Sequence, residues 1–149
     1  MTDSVNSREL VLAILLAVTK DGIYSHVAIS DVLTKYQYLE KQERSFITRV
    51  SEGTLERMLE LDYIINQFSS VKVNKMKPVI RCIIRSAVYE MKYMDSVPVS
   101  ASCNEAVKLA KKKGFGKLSG FVNGVLRNIG RNLDKIIYPD KEKSYKQYL

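Results

Sequence analysis

The side chains with the clearest chemical potential belong to one segment, GFVNGVLRNIGRN, which runs from residue 120 to residue 132. At 100° per residue, Gly120, Gly124, Arg127 and Arg131 share one helical arc of about 60°, opposite the apolar residues. An interior glycine costs a helix about 1 kcal/mol relative to alanine. Glycine lets another backbone approach the helix closely. Beside two arginines, the group that approaches is expected to be a phosphate backbone or another protein element. The alternative is a neighbouring helix packed on the glycines, with both arginines in solvent.

A lysine-rich turn, KLAKKKGFGK, precedes this segment. Lys111, Lys112 and Lys113 fall in the last turn of a predicted helix, where cations interact favourably with the helix dipole. Lys117 follows a Gly-Phe-Gly turn that leads into the arginine segment. The helix dipole alone is sufficient to explain the three lysines. The alternative is that they form, together with Lys117, a basic cluster on both sides of the Gly-Phe-Gly turn. Phe115 could either stack on a nucleic-acid base or plug the core.

Catalytic and metal-binding chemistry finds little support in the sequence. His26 is the only histidine, which excludes a catalytic histidine pair and a histidine-based metal site. Cys82 and Cys103 lie in helical patterns without CxxC spacing, and we interpret them as buried, reduced thiols of a cytosolic protein. Glycine-rich phosphate loops, HExxH and nucleophile-elbow motifs are lacking. We therefore assign no catalytic residue and no metal ligand to these 149 residues.

Charge is distributed unevenly along the chain, whose net charge is +8. Residues 1–70 carry seven basic and ten acidic side chains, a net charge of −3, whereas residues 71–149 carry 17 basic and six acidic ones, a net charge of +11. Such an asymmetry indicates a polyanionic partner such as nucleic acid. No run approaches the ~20 apolar residues of a membrane span, and no signal peptide is visible. We therefore expect a cytoplasmic protein without a membrane partner.

Helical periodicity dominates the sequence and predicts an all-α fold, with roughly six or seven helices around one core. Asn6 followed by Glu9 predicts a capping box at the first helix. The apolar stripe between residues 41 and 68 keeps its phase through Gly53, which predicts one long helix or two nearly collinear ones. Pro78 suits the first turn of a later helix. The polar stretch after residue 133 is interpreted as a connector or a weak final helix.

Three basic residues of the helix that begins at Pro78 form a second candidate surface. Arg81, Arg85 and Lys92 fall within about 40° of one another, opposite the apolar arc. This arrangement is typical of either a solvated face or a second basic stripe, and we favour the solvated face.

Several motifs occur in the order that is typical of the NusB fold. The stretch VPVSASCNEAVKLAKKKGFGKLSGFVNGVLRNIGR resembles the C-terminal signature of that family, in which a proline is followed by NEAV-x-LAK, a short basic turn and FVNGVL. The resemblance extends over nearly the whole chain and includes RSFITRVSEGTLER in the middle. It implies a NusB-like helical bundle that binds RNA, formed as a single domain by residues 1–133.

Two branches of that family have different functions. One is free-standing NusB, a transcription antitermination factor that binds boxA RNA together with a ribosomal protein. The other is the N-terminal domain of RsmB (Sun) enzymes, which methylate a cytosine of 16S ribosomal RNA at carbon 5. DGIYS after the first helix and RNIGR after FVNGVL resemble the RsmB branch more closely. Residues 134–149 resemble the connector that leads into the methyltransferase domain of those enzymes, so we expect the catalytic domain to lie beyond this chain.

The resemblance to RsmB also carries expectations about cofactors and partners. It implies S-adenosylmethionine and two cysteines, one of which follows a proline, in a separate Rossmann-like domain. Neither Cys82 nor Cys103 follows a proline, so we expect this chain to bind no cofactor and to perform no chemistry by itself. The expected partners are 16S ribosomal RNA and, in cis, the methyltransferase domain; the oligomeric state stays open. The candidate RNA-binding residues are Lys111, Lys112, Lys113, Lys117, Gly124, Arg127 and Arg131.

Overall fold

The computed structural model describes residues 6–138, and within them it is built of seven α-helices without a β-strand. The helices are α1 (Ser7–Thr19), α2 (Ser25–Lys35), α3 (Lys41–Glu56), α4 (Met58–Phe68), α5 (Pro78–Tyr93), α6 (Val99–Lys112) and α7 (Ser119–Arg131). Short 3₁₀ turns span Val73–Lys75, Gly116–Leu118 and Leu133–Lys135. The predicted all-α fold of six to seven helices is therefore confirmed.

Helix α5 lies at the centre of the bundle. It packs against α1, α3, α4, α6 and α7, and ten of its sixteen residues are buried. Pro78 occupies the first helical turn, as predicted, because its missing N–H is not needed there. The apolar side chains of the surrounding helices join those of α5 in one continuous core, which explains why residues 6–138 form one domain.

The long apolar stripe between residues 41 and 68 forms two helices. Helix α3 ends at Glu56 and α4 begins at Met58, with Arg57 between them at φ −108° and ψ 20°. Gly53 allows α3 to approach α5 closely, because a Cβ at this position would clash with the Tyr89 ring. The segment therefore forms two helices rather than one.

Local capping features end the helices, and one predicted contact at the start of α1 is not formed. The Asn6 side chain accepts a hydrogen bond from the Arg8 backbone N–H at 2.7 Å and so caps α1. Gly22 and Gly114, at φ +74° and +89°, take the left-handed conformation just after α1 and α6. Glu9, the expected second member of the capping box, instead binds lysines of α6, as described below.

The basic residues of α5 form neither a solvated face nor a second basic stripe, so that prediction was wrong. Arg85 is buried and makes a bidentate salt bridge with Asp62 of α4, both bonds being 2.7 Å long. Lys92 binds the carboxylate of Glu60, also on α4. Arg81 donates hydrogen bonds to backbone carbonyls of the preceding loop. Arg85 and Lys92 thus have carboxylate partners on another helix, and Arg81 is bound to the backbone of the adjacent loop.

A buried ion pair joins α1, α5 and α6. The Glu90 side chain on α5 is 2% exposed, and its carboxylate accepts bonds from Arg8 Nε at 3.1 and 3.2 Å and from Arg8 Nη2 at 2.7 Å. The Ser102 hydroxyl on α6 donates to the same carboxylate at 3.0 Å. The Arg8 guanidinium also lies 5.1 Å from the centre of the Phe46 ring. The N-terminus of α1 is thus fixed to the centre of the bundle.

The chain after α7 turns back over α4 and α5. Following the 3₁₀ turn Leu133–Lys135, the Ile137 carbonyl accepts a hydrogen bond from the Tyr63 hydroxyl at 3.2 Å. The Tyr138 ring centre lies 4.2 Å from Lys92 Nζ. The first residues of the expected connector are therefore attached to the bundle, and residues 139–149 of that connector lie outside the described part of the chain.

Candidate nucleic-acid interface

Helix α7 has the amphipathic arrangement that its sequence predicts. Its buried residues are Val122, Val125, Leu126 and Ile129. Gly120 and Gly124 lie on the opposite, exposed side, where a Cβ added to either residue would meet no atom within 4 Å among the described residues. No helix of residues 6–138 therefore packs on these two glycines, and the alternative in which a neighbouring helix covers them is wrong.

The glycines of α7 differ in what they do. Gly120 is the second residue of the helix, where glycine costs less than in the interior, so the argument from lost stability rests mainly on Gly124. Gly130, which sequence reasoning did not single out, lies against α6: a Cβ there would be 2.7 Å from Val99 Cγ1 and 3.9 Å from the Met91 sulfur. Gly130 thus serves packing, whereas Gly124 faces open space.

Arg127 is held in place by two asparagines. Its Nε donates to Asn123 Oδ1 at 3.1 Å, and its Nη2 donates to Asn104 Oδ1 on α6 at 2.7 Å. Asn104 belongs to the NEAV motif, and Asn123 lies one helical turn before Arg127, a spacing that predicts contact. Arg131 is exposed and makes no ion pair or hydrogen bond through its side chain within residues 6–138. One arginine is preorganised and the other is free to reach a ligand.

The lysine-rich segment forms the tight turn that the sequence predicts. Helix α6 ends at Lys112, Lys113 caps it, and Gly114 reverses the chain at φ +89°. Phe115 is half-buried and packs against the core, which supports its interpretation as a plug rather than a stacking platform. Lys117 follows in the 3₁₀ turn that leads into α7.

Two of the predicted RNA-binding lysines already have an anionic partner in α1. Lys112 Nζ lies 2.8 Å and Lys113 Nζ 2.7 Å from the two carboxylate oxygens of Glu9. Their hydrogen bonds, that of Lys112 first, lower the pKa of the Glu9 carboxyl below its usual 4.5. Lys111 and Lys117 are exposed, and neither has an ion-pair partner in the described part of the chain. The sequence could not predict this pairing, because Glu9 is more than 100 residues away.

The seven candidate residues, together with Gly120, form two groups, one on α7 and one on the turn that precedes it. The glycine–arginine stripe comprises Gly120, Gly124, Arg127 and Arg131, and the lysine turn comprises Lys111, Lys112, Lys113 and Lys117. The lysine turn leads into the start of α7 and Arg131 ends that helix. The stripe therefore extends about 18 Å from the lysine turn at 1.5 Å per residue. No acidic residue occurs between residues 106 and 133. The arrangement presents a mainly positive surface to an extended anion, with the Glu9 carboxylate of α1 bound to two of its lysines.

The cysteine thiols are not suited to nucleophilic chemistry. Cys82 and Cys103 are both free and buried, and burial raises the pKa of each thiol, which disfavours the reactive thiolate. Within residues 6–138, no group of three His, Cys, Asp or Glu side chains is arranged to hold a metal ion. In the same part of the chain, no helix has the length and apolarity needed to cross a membrane.

Comparison with known proteins identifies the bundle. Residues 5–131 match the model of the NusB family. Among similar proteins, the transcription antitermination protein NusB of Bacillus subtilis is 35% identical over 130 residues, which are 87% of this chain and 95% of that protein. The probable ribosomal RNA small subunit methyltransferase B of the same organism is also 35% identical, over 124 residues and 83% of this chain. The present chain covers only 27% of that methyltransferase.

Solved structures agree with this assignment at the level of the fold. The structure of antitermination factors NusB and NusE in complex with dsRNA superposes with a TM-score of 0.77 at 22% identity, over 84% of this chain and 93% of that one. A structure of Thermotoga maritima NusB gives a TM-score of 0.72 at 22% identity, over 86% and 92% of the two chains. Residues 5–131 match the family model, and the chain is 35% identical to a NusB protein over 95% of that protein's length. This chain therefore belongs to the NusB family.

Proposed function

We propose that this chain binds RNA, with the phosphate backbone lying along the glycine–arginine stripe and the lysine turn. The observation that carries the proposal is the open space over Gly120 and Gly124, beside Arg127 and Arg131. A phosphate backbone can approach the helix there without meeting a side chain, and the arginine forks match phosphate geometry. Support also comes from the relatives, one of which is named for ribosomal RNA and another of which has been solved together with dsRNA.

The direct test removes both arginines of the stripe. Phosphate contacts displace counterions, so RNA affinity falls with salt at a log–log slope of roughly −0.7 per contact for single-stranded RNA. Arg127→Ala with Arg131→Ala should flatten that slope by roughly 1.4, and equally for different RNA sequences, because phosphates carry no base identity. Fluorescence anisotropy at several salt concentrations measures the effect.

A matched control removes the same charge elsewhere. Lys35→Ala with Lys41→Ala takes two exposed cations from the junction of α2 and α3 and should leave the slope nearly unchanged. Loss of the Arg127 bond to Asn104 should cost about 1 kcal/mol of stability, so melting temperatures are recorded for each variant. If the arginine variant keeps both the affinity and the slope of the wild type, the stripe does not bind RNA.

Glu9 should act as an internal competitor for the lysine turn. Because RNA must displace its carboxylate from Lys112 and Lys113, we expect Glu9→Gln to tighten RNA binding by about twofold to fivefold, the equivalent of one exposed ion pair. Glu105→Gln is the control, since this residue of α6 pairs with Lys108 instead. The gain of Glu9→Gln should shrink at high salt, and unchanged affinity at low salt would argue against a role for these lysines.

The RNA-binding domain is proposed to serve a small-subunit ribosomal RNA methyltransferase by positioning its substrate. DGIYS, RNIGR and the connector-like sequence after residue 133 support this branch, as does the similarity to the methyltransferase of Bacillus subtilis. S-adenosylmethionine and the catalytic cysteines would then belong to the methyltransferase domain in cis. The alternative is a transcription antitermination factor, which is favoured by the 95% coverage of Bacillus subtilis NusB.

Binding of NusE separates the two branches. The positioning proposal predicts that the purified chain forms no stable complex with NusE in analytical ultracentrifugation, whereas Bacillus subtilis NusB run in parallel should form one. It also predicts no transfer of methyl groups from S-adenosylmethionine to 16S ribosomal RNA by this chain alone. A NusE complex as tight as that of the control would favour the antitermination factor, and methyl transfer above a protein-free blank would show that the chain is itself catalytic.

A further inference from the structure

The loop between α4 and α5 carries three more exposed lysines. Lys72, Lys75 and Lys77 are exposed to solvent. Val73 and Met76, which lie between them in the sequence, are 2% and 6% exposed and belong to the core. This lysine loop, defined by those three lysines, lies outside both the glycine–arginine stripe and the lysine turn. The two buried side chains fix which way the lysines face.

Hydrogen bonds hold the lysine loop in one shape. Arg81 of α5 donates from Nε to the Val73 carbonyl at 3.0 Å and from Nη2 to the Met76 carbonyl at 2.8 Å, with a longer bond to the Asn74 carbonyl at 3.4 Å. The Asn66 side chain accepts from the Val73 N–H at 2.9 Å. An arginine that could have faced solvent is thus used to fix the backbone, so the loop needs little reordering to bind a ligand.

The charge of the loop is not compensated within the described chain. No acidic residue occurs between Asp62 and Glu90, and none of the three loop lysines has an ion-pair partner among residues 6–138. Lys92 and Lys113, by contrast, are each paired with a carboxylate. Helix α5 begins directly after Lys77, so the positive end of its dipole adds to the same surface.

The lysine loop lies at the same end of the bundle as the lysine turn. The loop leads directly into the first turn of α5, and Val79 in that turn lines a cleft together with Lys113 and its carboxylate partner Glu9. The floor of this cleft is mainly apolar and includes Leu12 and Leu16. The C-terminal end of α6 and the N-terminal end of α5 therefore border one depression in the surface. A strand that has displaced the Glu9 carboxylate from the lysine turn can cross this cleft to reach the loop.

We propose that the lysine loop is a second phosphate-binding surface, over which a bound RNA strand continues beyond the lysine turn. This inference rests on the proposed RNA binding and extends the contact from α7 to the α4–α5 loop. Lysine is a compact point charge on a flexible stem, so the loop should bind phosphates without reading bases. Its contribution should therefore depend on RNA length and on salt, and not on RNA sequence.

The test compares two pairs of lysines of equal charge. Lys72→Ala with Lys75→Ala removes two loop cations, and Lys35→Ala with Lys41→Ala is the matched control. With a long single-stranded RNA, the loop variant should flatten the log–log salt slope by roughly 1.4, while the control should not. With an RNA too short to span both surfaces, the loop variant should match the wild type. Melting temperatures should be equal, since all four side chains are exposed.

The outcomes distinguish this inference from the proposed function. If the wild type binds RNA and the loop variant keeps its slope on long RNA, the lysine loop is not a phosphate surface, whereas the RNA-binding proposal stands. If the wild type binds no RNA at any salt concentration, both fall. Flattening by the control as large as that by the loop variant would reveal a general charge effect and would also refute a specific surface.

Discussion

Replacing Arg8 with alanine is expected to destabilise the fold by about 3–5 kcal/mol, because the change leaves a buried charge without its partner. Glu90 is 2% exposed, and the Arg8 guanidinium supplies three of the four hydrogen bonds described for its carboxylate. The remaining donor is the neutral hydroxyl of Ser102. The variant must either keep an unpaired carboxylate inside the bundle or open the junction of α1 and α5 to water.

Urea denaturation measures this loss, and a double variant identifies its cause. Arg8→Met with Glu90→Leu removes both charges and replaces them with apolar side chains of similar size, so most of the stability should return. Lys108→Ala, which removes a cation that is 75% exposed, is the control and should cost less than about 1 kcal/mol. An Arg8→Ala variant as stable as this control would mean that the ion pair does not support the bundle.

The buried ion pair also illustrates what the sequence could not predict. Periodicity places charged residues on the solvent side of a helix, yet Glu90 lies among the buried residues of α5. Its partner Arg8 is 82 residues away, so no local spacing connects the two. The same reason explains the wrong prediction for Arg85, whose bidentate partner Asp62 lies on a different helix. Long-range partners are decided by tertiary packing, on which a single sequence carries little information.

What could be predicted depended on local rules. The apolar arc of α7, the start of α5 at Pro78 and the glycines after α1 and α6 all follow from periodicity, capping and backbone conformation within a few residues. The resemblance to NusB added the fold as a whole. The candidate surface was predicted as a set of residues, but the capture of Lys113 by Glu9 and the anchoring of Arg127 by Asn104 required the folded chain.

The glycines of α7 are expected to respond in opposite ways to substitution by alanine. Gly124→Ala should stabilise the domain by up to about 1 kcal/mol, because the new methyl group enters open space and the helix gains propensity. Gly130→Ala should destabilise it by about 1–3 kcal/mol, because its Cβ would lie 2.7 Å from Val99 Cγ1 in the contact between α7 and α6. Chemical denaturation of the two variants gives the difference directly.

A second substitution that removes the clash is the control for Gly130→Ala. A measurement of RNA affinity is the control for Gly124→Ala. Adding Val99→Ala should recover part of the stability lost by Gly130→Ala, since it removes the atom that the new methyl group meets. Gly124→Ala should weaken RNA binding although it stabilises the fold, because its methyl group occupies the space that a phosphate backbone would use. A destabilised Gly124→Ala variant would mean that another part of the chain covers this face, and a stabilised variant with unaltered RNA affinity would mean that close approach at Gly124 plays no part in binding. The changes in stability and in RNA affinity caused by Gly124→Ala therefore decide whether this glycine serves the binding of a ligand.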